Sequence, residues 1–210
     1  EMSFEELQSV APAYQPIEYY RYKTGKLRKD GQPGFNTPTG RIELWSNFYN
    51  QAGLDPLPYF EEPEPGPGST PELMEEFPLV MTSGARTWSM FHSEHRNVEH
   101  LRALHPDAEI LVNPKTAAKY GVHQGDWVWV ENERGRCKRK VVETPVVDER
   151  VCSTDHAWWL PEAPGSLEDG LFGMQDLNVA NLMAYNCGKS GFGANYKTLL
   201  CKIYRVEEGE

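Results

Sequence analysis

The stretch Asn113–Gly135, NPKTAAKYGVHQGDWVWVENERG, decides how this chain is read. Asn113 can accept a hydrogen bond from first-turn N–H groups, Pro114 is pre-set for the first helical position, and Gly121 can take the left-handed conformation that ends a helix. A short helix of about two turns is therefore predicted. Gly125 and Asp126 punctuate the chain before WVWV, whose bulky residues favour a strand with Val128 and Val130 on one face and Trp127 and Trp129 on the other. Asn132 to Gly135 should reverse that strand into another around Cys137 to Val142. The pattern predicts a compact β-barrel module rather than a free-standing enzyme.

Composition permits such a module. The chain has 210 residues and a formal net charge of -10. That length holds one substantial core plus an attached arm. The acidic balance argues against nonspecific nucleic-acid binding. The basic run Arg134, Arg136, Lys138, Arg139 and Lys140 falls on the expected hairpin and reads as a solvated or interdomain face. Cys137, Cys152, Cys187 and Cys201 contain no CxxC spacing, so buried free thiols are expected rather than zinc or iron-sulfur ligands. No apolar run is long enough for a membrane span, and no signal peptide is recognisable. Localisation is left open between cytoplasmic and exported.

Residues 1–60 lack a sustained helix or strand period and read as an extended arm or interdomain connection, with a short amphipathic element at Arg41 to Phe48. Residues 61–76 open with EEPEPGPGSTPE, too poor in apolar side chains for a core, and read as a Pro/Glu-rich linker. The main domain then spans 77–210. It opens with the apolar strand LVMTS and closes with the alternating strand TLLCKIYRV at Thr198 to Val206.

Several segments concentrate polar groups. After LVMTS, Gly84 permits close backbone approach, Arg86 can make paired hydrogen bonds to an anion, and Ser83 offers a short polar contact. An ordinary surface turn is the alternative. His92 lies between Phe91 and Ser93, a span suited to packing a planar heterocycle and bonding its edge. His95, His100 and His105 read as surface residues. In DHAWW, Asp155 could orient His156 as a base, but no GxSxG nucleophile segment accompanies it. Asn178, Asn181 and Tyr185 fall at helical separations, so LNVANLMAY can place them along one helical face. Ser190, in the glycine-rich GKSGFG, can meet a phosphate, although the segment lacks P-loop spacing. No catalytic residue and no metal ligand is assigned.

Together these residues resemble the C-terminal dinucleotide-binding domain of the molybdenum and tungsten bis-pterin oxidoreductases, the family that includes dimethyl sulfoxide reductases and formate dehydrogenases. The resemblance rests on FPLVMTSGART at Phe77 to Thr87, FHS at Phe91 to Ser93, the run Pro114 to Glu131, His156 with Trp158, LNVANL at Leu177 to Leu182, and Ser190-Gly191. TPTGRIELWS at Thr37 to Ser46 and DPLPYF at Asp55 to Phe60 resemble the family's approach to that domain. Asn186-Cys187-Gly188-Lys189 departs from it, because the family often carries an acidic residue shortly before SG.

The resemblance implies a mainly β fold: a six-stranded double-psi β-barrel with short peripheral helices and the N-terminal arm. It implies cofactor-binding roles for Ser83, Gly84, Arg86, His92, Asn113, Asp126, His156, Asn178, Asn181, Tyr185 and Ser190, with Trp158 supporting His156 by packing. Ser83, Arg86, His92, Asn113, His156, Asn178, Asn181 and Tyr185 should converge at one edge of the barrel. The implied cofactor is molybdopterin guanine dinucleotide in its bis form, with molybdenum or tungsten held chiefly by domains outside this chain. None is expected to bind tightly to the isolated chain, which should be inactive by itself. The implied partners are the remaining domains of the same oxidoreductase and an iron-sulfur electron-transfer subunit, with neither nucleic acid nor direct membrane insertion. A small separate subunit, or a cofactor-free structural or interaction module, is the alternative. The resemblance leaves the substrate open.

Overall fold

The structure is a computed structural model that describes residues 2–10, 17–91, 94–185, 187–188, 193, 195–207 and 209. By its contacts the chain divides into two units, Glu1–Tyr59 and Phe60–Glu210.

Among its described residues the first unit is built from turns and two short helices, α1 (Phe4–Ser9) and α2 (Asn47–Gln51). The capping pair Ser3 and Glu6, which supplies two first-turn N–H groups reciprocally, starts α1 in a stretch without apolar periodicity. Ser46 caps α2, so the helix begins near the end of the amphipathic element expected at Arg41 to Phe48. Tyr22 stacks on Phe35 with ring centroids 5.2 Å apart. Among the described residues of this unit only Gly25 and Gly40 are buried, so no apolar core holds it.

The second unit is organised by six strands: β1 (Leu79–Ala85), β2 (Glu109–Val112), β3 (Trp127–Asn132), β4 (Gly135–Glu143), β5 (Val151–Asp155) and β6 (Leu199–Arg205). They close into a mixed barrel in the order β1-β5-β2-β4-β3-β6. The pairs β1–β5 and β2–β4 are parallel and the other four are antiparallel. Side chains alternate across each strand. Met81, Ile110, Val112, Val128, Val130, Cys137, Val141, Cys152, Cys201 and Ile203 accordingly fill the interior.

The stretch that opened the sequence reading folds as expected. A one-turn helix α3 (Glu99–Arg102) precedes β2; the next helix, α4 (Pro114–Tyr120), is capped by Asn113, whose side chain accepts from the Lys115 N–H, and ends at Gly121 with φ 66°. Val128 and Val130 point inward, while Trp129 lies on the outer face under Arg136 and Lys138, at 3.8 and 4.8 Å from its ring centre. Aromatic surface on the outside of a strand is thus covered by cations from the neighbouring strand.

Two expectations need correction. Arg139 is not on a solvated face: it is fully buried. It occupies the inward row of β4 between Cys137 and Val141. LNVANLMAY is not one helix either. The helix α5 (Met174–Leu177) stops at Asn178, whose backbone is extended, and a 3-10 turn, Val179–Leu182, follows. Asn178, Asn181 and Tyr185 therefore do not share a helical face. The cause is capping competition: the Asn178 side chain accepts from the Ala180 N–H and starts a new turn.

Cys137, Cys152 and Cys201 are buried free thiols, as expected, while Cys187 is half-buried. Burial pushes the Cys137 thiol up, and a hydrogen bond with Cys152 together with burial holds Cys201 well above the ordinary range. That shift keeps Cys137 and Cys201 as thiols, the weakly nucleophilic form. No helix among the described residues is long and apolar enough to cross a membrane.

Candidate functional site

The strand directions place most of the candidate residues at one end of the barrel. The C-terminal ends of β1 and β5 lie side by side, with Ser83 opposite Thr154 and Ala85 opposite Asp155. The N-terminal end of β2 and the β3–β4 hairpin reach the same end, as do the N-terminal end of β6 and the α5 segment. Ser83, Gly84, Arg86, His156, Asn178 and Asn181 belong to this end by the elements that carry or border them.

Ser83 is buried and donates to the Tyr196 carbonyl at 2.5 Å, while Lys197 Nζ donates to the Ser83 carbonyl at 2.7 Å. Gly84 has φ 89°, and a Cβ there would lie 2.2 Å from Lys197 Nζ. The backbone conformation explains glycine, whereas the lysine tip could move aside. Arg86 is exposed, with its guanidinium 4.6 Å from the Phe91 ring centre. Tyr185 is strongly exposed.

Asn113 and Asp126 lie at the opposite end, beside the C-terminal end of β2 and the N-terminal end of β3. There they have structural work: Asn113 Nδ2 donates to the Val147 carbonyl, and Asp126 accepts from the His123 N–H and from Arg205. His92 and Ser190 lie outside the described residues.

A cap of loops covers the candidate end, built around a second apolar cluster of Met90, Ala108, Trp158 and Leu177. Trp158 carries the Arg96 guanidinium over its ring at 4.1 Å and the His105 ring at 5.4 Å. Arg96 Nη2 donates to the Ala157 carbonyl at 2.6 Å, and Ala157 holds φ 41°, a strained conformation beside the site. Burial brings the Arg96 pKa down to about 10, with the Asp155 charge opposing that shift.

His105 corrects a further expectation. It is half-buried rather than a surface residue, with Nε2 3.1 Å from Asp155 Oδ2 and Nδ1 3.6 Å from Glu109. Asp155 thus meets His105, fifty residues away, in a contact that local sequence does not signal. Burial lowers the His105 pKa, but the hydrogen bond that the imidazole donates to Asp155 and the charges of Asp155 and Glu109 outweigh it and raise the value. A raised folded-state pKa contributes stability that is fully present below the unfolded value, about 6.5, and is lost as pH rises through the folded value. The stability difference between the wild type and His105→Phe should therefore be largest in acid and shrink as pH rises above that value. Urea unfolding across the range would check this, and a pH-independent difference would contradict it.

Six buried side-chain atoms among the described residues lack a hydrogen-bond partner, and five belong to this end: Ser89 Oγ, Arg96 Nε and Nη1, Arg139 Nη2 and Asp155 Oδ1. Native interiors leave few such atoms. Their concentration marks this end as the polar part of the interior. A cavity of about 500 Å³, lined by Trp127, Trp158, Leu160 and Leu177 among others, adjoins the cap, but of the described residues expected at the cofactor face only the supporting Trp158 lines it. No group of three or more metal-ligating side chains occurs among the described residues.

Residues 79–200 match the molydopterin dinucleotide binding domain. The chain belongs to that family and is homologous to the cofactor-binding domain of the molybdenum and tungsten bis-pterin oxidoreductases. It is 36% identical over 190 residues to the dopamine dehydroxylase of Eggerthella lenta, covering 88% of this chain and 18% of that protein. To the acetylene hydratase of Syntrophotalea acetylenica it is 37% identical over 151 residues, covering 72% and 21%. Its fold matches the solved acetylene hydratase from Pelobacter acetylenicus with a TM-score of 0.78 and 33% identity, covering 86% of this chain and 25% of that one. The chain spans about a fifth of the length of the curated relatives it matches.

Proposed function

We propose that this chain positions a bis-molybdopterin guanine dinucleotide cofactor for two-electron redox chemistry in a larger oxidoreductase. The barrel has the double-psi topology in this reading, and its two parallel strand pairs support that. Residues 1–60 serve as a connecting arm, 61–76 as a linker and 77–210 as the dinucleotide-binding domain. The observation that carries the reading is the gathering of Ser83, Gly84, Arg86, His156, Asn178 and Asn181 at one barrel end, beside buried polar atoms without partners. Donors and acceptors of that kind fit a group with phosphates and hydrogen-bonding heterocycles.

In this assignment Arg86 holds a phosphate by charge-assisted hydrogen bonds, and the amides of Asn178 and Asn181 bond heterocycle edges. His156 faces the cofactor, and His92 and Ser190 belong to the same set by their place in the sequence. Asn113 and Asp126 meet the cofactor only if it extends beyond this end. When bound, the group supplies the molybdenum or tungsten at which substrate is transformed, with the metal held by other domains. Those domains, and an iron-sulfur electron-transfer subunit, are the proposed partners. Dopamine dehydroxylase and acetylene hydratase are named for different reactions. The choice of substrate therefore lies outside this domain.

In the full-length protein, Arg86→Ala should weaken cofactor retention roughly ten- to hundredfold, and Asn181→Ala by less, because a hydrogen bond to a charged group is the stronger kind. Cofactor content per folded protein is the measurement. Full retention in both variants would sink the assignment.

A further inference from the structure

We propose that Arg139 and Asn132 are positioning residues for cofactor contact: they clamp the segment Met174–Leu182 onto the β3–β4 hairpin and so set where Asn178 and Asn181 stand. The inference rests on the reading above that those asparagines meet the dinucleotide.

Arg139 is fully buried, and no carboxylate among the described residues lies within ion-pair distance of it. Its guanidinium is spent on positions instead. Nε donates to Thr154 Oγ1 at 2.7 Å, while Nη1 donates to the Lys138 carbonyl at 3.1 Å and to the Leu177 carbonyl. Leu177 is the last residue of α5, immediately before Asn178. At the other end of the segment, Asn132 Nδ2 donates to the Leu182 carbonyl at 2.8 Å, and that bond is buried. The two ties therefore bracket Asn178 through Asn181.

Between them the contact continues. Asn181 Nδ2 donates to the Gln175 carbonyl at 2.6 Å and reaches the Arg136 carbonyl at 3.4 Å. A Cβ on Gly135 would stand 3.1 Å from the Asn181 carbonyl oxygen, so hairpin and turn meet closely. An isolated single 3-10 turn does not hold its own conformation. The bracket supplies what the turn lacks. A leucine in place of Arg139 could fill the interior but could not bond the Leu177 carbonyl, which explains a buried charge whose desolvation is unfavourable.

The test begins with amide hydrogen exchange of the 210-residue chain carrying Arg139→Met or Asn132→Ala, with thermal unfolding followed in parallel. Exchange at residues 178–182 should accelerate roughly tenfold or more in each variant, while α4 keeps its protection. Unchanged exchange there, or acceleration spread evenly over the barrel, would overturn the clamp. If Arg139→Met does not fold, Asn132→Ala decides the matter alone.

Cofactor retention in the full-length protein supplies a readout that a purely structural role would not move. Asn178→Ala and Asn132→Ala, singly and combined, should show a combined loss smaller than the product of the single losses, because both act through one contact. Independent losses would overturn the positioning role. Retention unchanged by Asn178→Ala and Asn181→Ala would overturn the site assignment and the positioning role with it, whereas a failed exchange result overturns the clamp alone.

Discussion

Replacing Trp158 by alanine should cost about 3–5 kcal/mol, the range for deleting a fully buried aromatic side chain. For a chain of this size that corresponds to a fall in Tm of about 6–20 °C. The size follows from what the indole touches. It centres the cluster of Met90, Ala108 and Leu177, and carries Arg96 on its ring. Without it, a guanidinium that already lacks partners at Nε and Nη1 loses the surface on which it rests. The loss should concentrate in the cap, so exchange around residues 96–108 and 155–160 should rise before the barrel opens. Thermal melting followed by circular dichroism checks the first claim, and a fall of less than about 3 °C would show that the cap does not depend on Trp158.

Thr154→Val keeps the side chain's shape but removes the oxygen that accepts from Arg139 Nε and donates to the Glu109 carbonyl at 2.7 Å. A buried charged donor left without its acceptor should cost about 2–3 kcal/mol. Thr154→Ser should recover most of that, because the hydroxyl returns and only a methyl group is lost. Chemical unfolding of the three proteins decides it. Equal stability of the valine variant and the wild type would mean that Arg139 needs no acceptor at this position.

The parts of the fold legible in the sequence were those decided by local chemistry. The Asn113 cap, the Gly121 terminus and the alternation of WVWV each depend on neighbours within a few residues, and each appears where expected. The short strands β2 and β5 were not placed, because EILV and VCSTD acquire meaning only from partners elsewhere in the chain. Arg139 carries two opposed signals. It shares the parity of Cys137 and Val141, so the alternation that put Val128 inside also put Arg139 inside, but the density of charge in RGRCKRK suggested solvent. At the candidate site, Ser83, Gly84 and Arg86 were legible as a strand followed by a polar turn. The contacts His105–Asp155 and Asn132–Leu182 each join residues fifty positions apart, and no local pattern encodes such meetings.

The order of strands around the barrel has a consequence for how the protein is made. Both neighbours of β1 come late: β5 starts at Val151 and β6 at Leu199. A ribosome adding roughly 5–20 residues each second leaves β1 without β6 for on the order of ten seconds. During that interval its unpaired backbone is a surface on which nascent chains can associate, and ring closure must await the most distant pairing in the sequence. The contacts of Ser83 with Tyr196 and Lys197 form only then. The face proposed to receive the dinucleotide is therefore among the last parts of the barrel to be completed.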